Sequence, residues 1–484
     1  MSARLSKIVQ RDLTADPQIK GVTADSRKVA KGFLFAALPG SKVNGAEFAA
    51  KAVAQGAAAV IADTDLGLDV PTIVTPDPRR AYALAAARFW GKQPAVCVAV
   101  TGTNGKTSVA AFCRQIFAHA GRTSASMGTL GVRISRPDGK DEQVTPPGLT
   151  TPDAADVAEL LARITEKGVT HLAMEASSHG VDQRRLDGVT LTAAGFLNLT
   201  QDHLDYHGTM GAYRAAKLRL FETLLPRGGT AVLNADSDAF PAFAGAAIMA
   251  GQTLLSVGEA GQALRLVERT PTPEGQRLNI EAEGRRHEVL LPLAGGFQAS
   301  NALVAAGLCR AAGLGLEETL AALEILEGAP GRLQRVGPGP HGGEAYVDYA
   351  HTPDGLETVL RALRPHVKSR LIVVFGAGGD RDRGKRPLMG QVAAELADVA
   401  IITDDNPRSE VPAAIRAEVL AGSVGATEIG DRREAIRAAA AMLGVGDILV
   451  VAGKGHEQGQ IVGDTVHPFD DVTETAQALE LVHG

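Results

Sequence analysis

The chain has 484 residues, 45% of them hydrophobic, and a net charge of −6 at pH 7, with a pI near 6.1 and a mean hydropathy of +0.02. Those values fit a soluble globular protein of about three domains. They exclude a nucleic-acid-binding surface, since no basic run occurs. The opening MSARLSKIVQRDLTADPQ lacks an apolar h-region, and no run of about eighteen apolar residues follows, so a cytoplasmic chain without membrane spans is expected. Cys97, Cys113 and Cys309 read as reduced core residues, not as a disulfide set or metal cluster.

Residues 1–92 mix short strand-like runs (Phe33–Ala37, Ala58–Ala62, Thr72–Val74) with an alanine-rich helix ending near Trp90. Val96 to Val100 reads as a buried strand. It runs into a glycine turn, Gly102-Thr103-Asn104-Gly105, after which Lys106, Thr107 and Ser108 open a segment with helical spacing. A strand, a tight turn and a helix N-terminus form a phosphate cradle, because free backbone N–H groups and the positive end of the helix dipole face the anion. Lys106 would reach the β/γ-phosphates and the Thr107 hydroxyl would ligate Mg²⁺. Val100 stands where the longer P-loop pattern has its first glycine, so the turn is the shorter GTNGKT form. The expected ligand is ATP.

Downstream, apolar runs repeatedly end in polar or glycine residues. THLAM leads into Glu175, AAGFLNL into Thr200-Gln201-Asp202-His203, and TAVLN into Asp236. LIVVF leads into GAGGDRD, VAIIT into DDNPR, and DILVV into AGKGHE. Continuous apolar runs are typical of parallel strands buried on both faces, and α/β sheets bind ligands at the carboxyl ends of such strands. Two nucleotide-type α/β domains are therefore expected, with the boundary near Ala329, where Gly328, Pro330 and Gly331 mark a hinge. Residues 257–290 read as polar and irregular, a β-rich excursion to which no function is assigned.

Glu175 sits where an acid would hold Mg²⁺ beside a P-loop. His203 shares one turn with Asp202, Asp205 and His207. By spacing alone Lys217 is a solvated lysine on an amphipathic helix. Arg381 and Arg408 both follow strands and offer planar forks suited to a carboxylate. Asp348 and His351 read equally as a helix cap and a first-turn residue.

TGTNGKTS, EASSHG, NLTQDHLDYHG, YRAAKLRLF, GGFQASNALVA, GRLQRV and VDYAHTPDGL occur in that order over most of the chain. Together they resemble the Mur ligase family of ATP-dependent enzymes that add amino acids to the peptidoglycan precursor. DSR at 25–27, TTPD at 150–153, GGDRDRGKRPLMG, DNPR and GKGHE resemble the members that add the third residue. The resemblance implies an α/β fold of three domains: residues 1–92 for the UDP end, a central P-loop ATPase-like parallel-sheet domain at 93–329, and a Rossmann-like amino-acid domain at 330–484. It implies that Ser26 and the loop Ser41, Lys42 and Val43 contact the UDP group. Thr150, Thr151, Ser177, Gln183 and Arg185 would position the muramoyl dipeptide. Glu175 and His203 would bind Mg²⁺ with Thr107, and Lys217 would become a carbamate that binds a second Mg²⁺. Asn301, Arg332, Asp348 and His351 would serve ATP. Arg381, Asp405, Asn406, Pro407, Arg408, Gly453 and Glu457 would recognise the incoming amino acid. A monomer with small-molecule substrates only is expected.

The residue chemistry of DNPR sharpens that implication. meso-Diaminopimelate carries a distal carboxylate that lysine lacks. Arg408 can pair bidentately with it, whereas lysine would leave the guanidinium unpaired in a closed site, at a cost of several kcal/mol. The rivals are a sister ligase of the folylpolyglutamate synthetase type or one adding D-alanyl-D-alanine, against which DNPR and GKGHE weigh. A P-loop switch is a third possibility, but no asparagine precedes a lysine, so the NKxD guanine motif is absent.

Overall fold

The protein is represented by a computed structural model that describes residues 1–40, 44–272, 275–339 and 341–481. The chain divides into two compact units, Met1–Arg265 with Leu303–Ala322, and Leu266–Ala302 with Leu323–Gly484.

The first unit opens with a parallel sheet of β1 (Gly21–Thr23), β2 (Phe33–Ala36), β3 (Ala59–Ala62) and β4 (Thr72–Val74), paired in chain order. Helix α1 (Pro78–Trp90) follows. Asp77 caps it by accepting from the Arg80 N–H, proline opens the first turn, and Gly91 ends it in the left-handed region. Tyr82, Ala83, Ala86 and Phe89 of this helix share one apolar core with Leu34, Ala36 and Ile61 of the sheet.

A larger sheet then forms from β5 (Val96–Thr101), β6 (Ser124–Gly128), β7 (Gly131–Ser135), β8 (His171–Glu175), β9 (Ala193–Phe196), β10 (Thr230–Asn234) and β11 (Thr253–Gly258). Their order across the sheet is 7-6-8-5-9-10-11. All neighbours are parallel except the β6–β7 hairpin. Cys97 to Val100 on β5 are at most 1% exposed, so both faces are covered and the strand has no need of polar alternation. Helices α2 (Lys106–His119), α3 (Ala154–Glu166) and α4 (Met210–Arg219) connect these strands. In register, Glu175 stands beside Val100, and Phe196 beside Thr101. The carboxyl ends of β8, β5 and β9 therefore deliver their following loops to one edge of the sheet.

The second unit contains the antiparallel pair β12 (Gly275–Ala282) and β13 (Arg285–Leu291). The stretch read as a polar, irregular, β-rich excursion is thus β structure, and regular where these two strands pair. Leu278, Ile280 and Ala282 point into the core, while polar residues fill the intervening positions and mask a short alternation. A parallel sheet follows, with β14 (Glu344–Asp348), β15 (Leu371–Phe375), β16 (Val399–Ile402) and β17 (Ile448–Ala452) in the order 14-17-15-16. Its two faces bury separate apolar clusters beneath α5 (Pro353–Leu363) and α6 (Lys385–Leu396) on one side, and α7 (Arg432–Met442) and α8 (Asp471–Leu481) on the other. A short hairpin, β18 (Gly459–Val462) and β19 (Thr465–Pro468), lies between β17 and α8.

Helices α7 and α8 are joined by a fully buried ion pair. Arg432 Nε and Nη2 donate to the two oxygens of Asp471 at 2.8 and 2.7 Å. Removing one partner of such a pair strands a charge in the core. Arg432→Ala is expected to cost about 3–5 kcal/mol in urea unfolding, and a loss below about 1 kcal/mol would contradict this picture.

Candidate active site

The turn after β5 folds as the cradle that its sequence predicts. Gly105 adopts φ 90° at the start of α2, a left-handed backbone that favours glycine. Asn198, just past β9, braces the turn: its Oδ1 accepts from the Thr103 and Asn104 N–H groups at 3.1 and 2.9 Å, and its Nδ2 donates to the Asn104 carbonyl. Lys106 folds back over the turn, with Nζ 2.9 and 2.7 Å from the Gly102 and Thr103 carbonyls. Asn198 was not singled out from the sequence, although it stands one residue beyond an apolar run in NLTQDH.

Glu175 ends β8 and is 3% exposed. Its Oε2 accepts from the Thr107 hydroxyl at 3.0 Å, and its Oε1 from the Thr129 N–H at 2.9 Å. A Cβ on Gly128 would lie 2.0 Å from that Oε1, so the carboxylate occupies the space a side chain would need. Thr107 and Glu175 are hard oxygen donors at a phosphate cradle, which fits a magnesium ion. Among the described residues no three His, Cys, Asp or Glu side chains gather as a metal-binding group. Hydroxyl, phosphate and substrate oxygens would have to complete any such site.

Lys217 corrects the reading from spacing. It is 1% exposed, with Nζ donating to the Gly102 carbonyl at 2.7 Å and lying 4.5 Å from the centre of the Tyr213 ring. Only part of α4 faces water, and Lys217 is on the side packed against the P-loop. Burial, followed by the nearby Lys106 charge, pushes its amine down to about 6. The Tyr213 hydroxyl is 3.2 Å from the Thr103 hydroxyl, which ties the same helix to the turn. His203 adopts φ 52° at the start of a one-turn helix. Its ring is 5.0 Å from His179 and 6.1 Å from Tyr213, and its Nε2 is 3.4 Å from Asp202. Tyr213 thus stands between His203 and Lys217, and no direct bond joins the two.

The residues expected to position a dipeptide are brought together beside Glu175. The Thr150 and Thr129 hydroxyls are 2.9 Å apart, as are those of Thr151 and Ser177. Thr151 also donates to the Glu175 carbonyl, and Arg185 reaches the Thr151 carbonyl and the Gln183 side chain at 2.6 and 2.7 Å. Ser26 lines a cavity of about 1040 Å³ with Thr23, Leu38, Phe48 and Tyr82. Ser41, Lys42 and Val43 lie outside the described residues.

In the second unit Asn301 donates to Gln298, whose own amide donates to the Arg332 carbonyl at 3.3 Å. The Arg332 guanidinium lies 4.8 Å from the Tyr349 ring centre. Asp348 is not the cap of the following helix; Thr352 takes that place. Asp348 accepts instead from the Leu333 and Ala350 N–H groups at 2.6 and 2.8 Å, and burial pushes its carboxyl up to about 6. His351 Nδ1 is 2.7 Å from the Tyr349 carbonyl.

β15 and β16 are neighbours, and their following loops carry Arg381 and Arg408. Both side chains approach Gly378: a Cβ there would lie 2.9 Å from Arg408 Nη1 and 3.8 Å from Arg381 Cγ. Arg408, at φ 51°, donates to the Gly379 carbonyl at 2.8 Å, while Arg381 is exposed and reaches the Asp380 carbonyl. Pro407 is packed against the same loop, its carbonyl 1.9 Å from where a Gly379 Cβ would stand. Asn406 donates to Glu457 at 2.9 Å, and Gly453, at φ 124°, lies beside Asp405. Lys454 contacts Asp405 and Asn406; its place inside GKGHE was the available signal, but a lysine in a loop gives no sign of burial.

A phosphate cradle backed by a buried acid and amine, with a separate arginine-bearing Rossmann-like sheet, defines an ATP-using ligase architecture. Residues 18–89 match the Mur ligase family catalytic domain, 100–309 the Mur ligase middle domain, and 331–455 the Mur ligase glutamate ligase domain. The UDP-N-acetylmuramoyl-L-alanyl-D-glutamate--2,6-diaminopimelate ligase of Caulobacter vibrioides is 70% identical over 99% of both chains. The enzyme of the same name from Brucella melitensis is 54% identical over 96% of this chain and 94% of its own. A solved structure of a ligase of that name superposes with a TM-score of 0.78 at 36% identity over 100% of both chains. MurF from Acinetobacter baumannii, at 21% identity and a TM-score of 0.62 over 98% of both chains, shares the fold. The chain belongs to the Mur ligase family.

Gly128→Ala is expected to displace Glu175 and to cost about 1–3 kcal/mol in urea unfolding, as overpacking does. Lys217 gives a pH signature. With its amine near 6 in the folded state against an ordinary 10.5, the unfolded chain binds more protons between those values. Stability therefore rises with pH across that window. In CO₂-free buffer, Lys217→Met is expected to flatten that rise in a pH series of melting temperatures.

Proposed function

We propose that this chain is an ATP-dependent amide ligase of peptidoglycan precursor synthesis. It joins meso-2,6-diaminopimelate to the γ-carboxylate of the D-glutamate residue in UDP-N-acetylmuramoyl-L-alanyl-D-glutamate. The names of full-length relatives support the reaction. The Arg408 guanidinium, held against Gly378 and Gly379 beside Asn406 and Glu457, is the observation that carries the choice of amino acid. The reading places the UDP end on residues 1–92, ATP on 93–329 and the amino acid on 330–484, in a cytoplasmic monomer.

ATP lies with its phosphates along the Gly102–Ser108 turn, where backbone N–H groups and the α2 dipole face them. Lys106 leaves the Gly102 and Thr103 carbonyls for the β/γ-phosphates. Thr107, Glu175, His203 and Lys217 as its carbamate would hold two magnesium ions, and bound there these would supply screening of the charge on the transferring phosphoryl group. Burial disfavours the charged form of the Lys217 amine, and the neutral amine is the species that adds CO₂, releasing a proton as the carbamate forms. Thr150, Thr151, Ser177, Gln183 and Arg185 orient the dipeptide so that its γ-carboxylate faces the γ-phosphate. Attack gives an acyl phosphate and ADP; the diaminopimelate amine then attacks the carbonyl and phosphate leaves. Asn301, Arg332, Asp348 and His351 serve ATP.

The distal carboxylate of diaminopimelate pairs with Arg408, and Glu457, oriented by the Asn406 amide, takes its ammonium end. Phosphate release from ATP is expected to require both the UDP-muramoyl dipeptide and diaminopimelate, with L-lysine a poor substitute. Preference for lysine would overturn the reading of DNPR, and ATP turnover without either co-substrate would favour a nucleotide switch. Arg408→Ala is expected to raise KM for diaminopimelate by about 100-fold, the scale of truncating a buried charge pair, with KM for ATP unchanged.

A further inference from the structure

Lys454 stands two residues beyond β17 and its side chain is fully buried. Three oxygens surround the ammonium: Asn406 Oδ1 at 2.7 Å, the Gly459 carbonyl at 3.0 Å and Asp405 Oδ1 at 3.3 Å. Asn406 Oδ1 also accepts from the Ile461 N–H at 3.0 Å. Two donors on that atom define which end of the amide it is. Turned over, the amide would set its NH₂ against an ammonium and an N–H, and would face Glu457 with an oxygen. In the observed orientation Asn406 Nδ2 donates to Glu457 Oε2 at 2.9 Å. The same lysine grips the hairpin at Gly459, and two residues on, the Ile461 carbonyl accepts from the Arg408 N–H at 3.0 Å. Arg408 is thereby held in its left-handed conformation.

We propose that Lys454 is a positioning residue for amino-acid selection: it locks the Asn406 amide so that its N–H orients Glu457, and it anchors the hairpin that sets Arg408. This rests on the diaminopimelate reading above. A lysine suits the place because its ammonium donates to two neutral oxygens, Asn406 Oδ1 and the Gly459 carbonyl, while its charge stands 3.3 Å from the Asp405 carboxylate. A purely structural ion pair would need Asp405 alone.

The test is steady-state kinetics of the full chain with ATP, UDP-muramoyl dipeptide and diaminopimelate varied in turn. Lys454→Met is expected to raise KM for diaminopimelate by about 10- to 100-fold, the scale of a lost charged hydrogen bond, while KM for ATP and for the dipeptide stays put. Because Lys454 acts in part through Asn406, the loss in Lys454→Met with Asn406→Ala is expected to fall short of the product of the two single fold-changes. Lys454→Gln, which keeps a donor toward Asn406, is expected to show a smaller rise. If the Met variant does not fold, the Gln variant and its own cycle with Asn406→Ala decide the matter. Three results would overturn the proposal: an unchanged KM for diaminopimelate in a folded variant, a parallel rise in all three KM values, or additive effects in the cycle. Wild-type preference for lysine would overturn the diaminopimelate reading together with the proposal, whereas wild-type diaminopimelate preference with unmoved variants would overturn the proposal alone.

Discussion

The carboxylate of Glu175 is the point on which the first unit's chemistry turns. It is buried at the end of β8 and hydrogen-bonded to the Thr107 hydroxyl of α2 and to the Thr129 N–H beyond β6. Burying an acid is costly unless its oxygens are satisfied, so the surrounding chain is committed to satisfying them. Gly128 gives up its side chain to make room, and the Thr151 hydroxyl donates to the Glu175 carbonyl. One group thus couples the nucleotide cradle to the residues proposed to hold the acceptor substrate. A hydroxyl and a carboxylate 3.0 Å apart also supply the hard oxygens that a magnesium–phosphate complex requires.

Lys217 is the complementary case, a cation where water is excluded. Its amine gains a hydrogen bond to Gly102 and a contact with the Tyr213 ring, yet burial still disfavours the charged form. A lysine kept solely for stability would gain more at the surface. The arrangement makes sense if the amine is a reactive group, and the proximity of Lys106 increases that bias.

Much of this was legible in the chain because parallel strands buried on both faces leave uninterrupted apolar runs. Val96–Val100, His171–Met174 and Leu371–Phe375 announce themselves, and so do the polar residues at their ends. The GTNGKT turn is legible because its geometry needs glycine at Gly105. What stayed hidden were properties of packing. Spacing cannot tell that the face of α4 bearing Lys217 is covered, nor that Asp348 serves two backbone N–H groups while Thr352 caps the helix. The β12–β13 pair was obscured by polar residues on its outer face. Asn198, Tyr213 and Lys454 carry no distinctive spacing, and they matter through hydrogen bonds made with segments far away in sequence.

The second unit follows a related logic with opposite charge. Arg408 is held by main-chain contacts in a backbone conformation that a non-glycine residue adopts only when its surroundings enforce it. That constraint is what a selective carboxylate receptor needs, since a flexible arginine would pay for its own ordering when substrate binds. The central claim, that the acceptor carboxylate is activated by phosphorylation at the Lys106 cradle, is tested most directly by isotope transfer. UDP-N-acetylmuramoyl-L-alanyl-D-glutamate labelled with ¹⁸O in its γ-carboxylate should pass one labelled oxygen to the released phosphate when ATP and diaminopimelate are present. Phosphate free of ¹⁸O, recovered alongside amide product, would contradict the account.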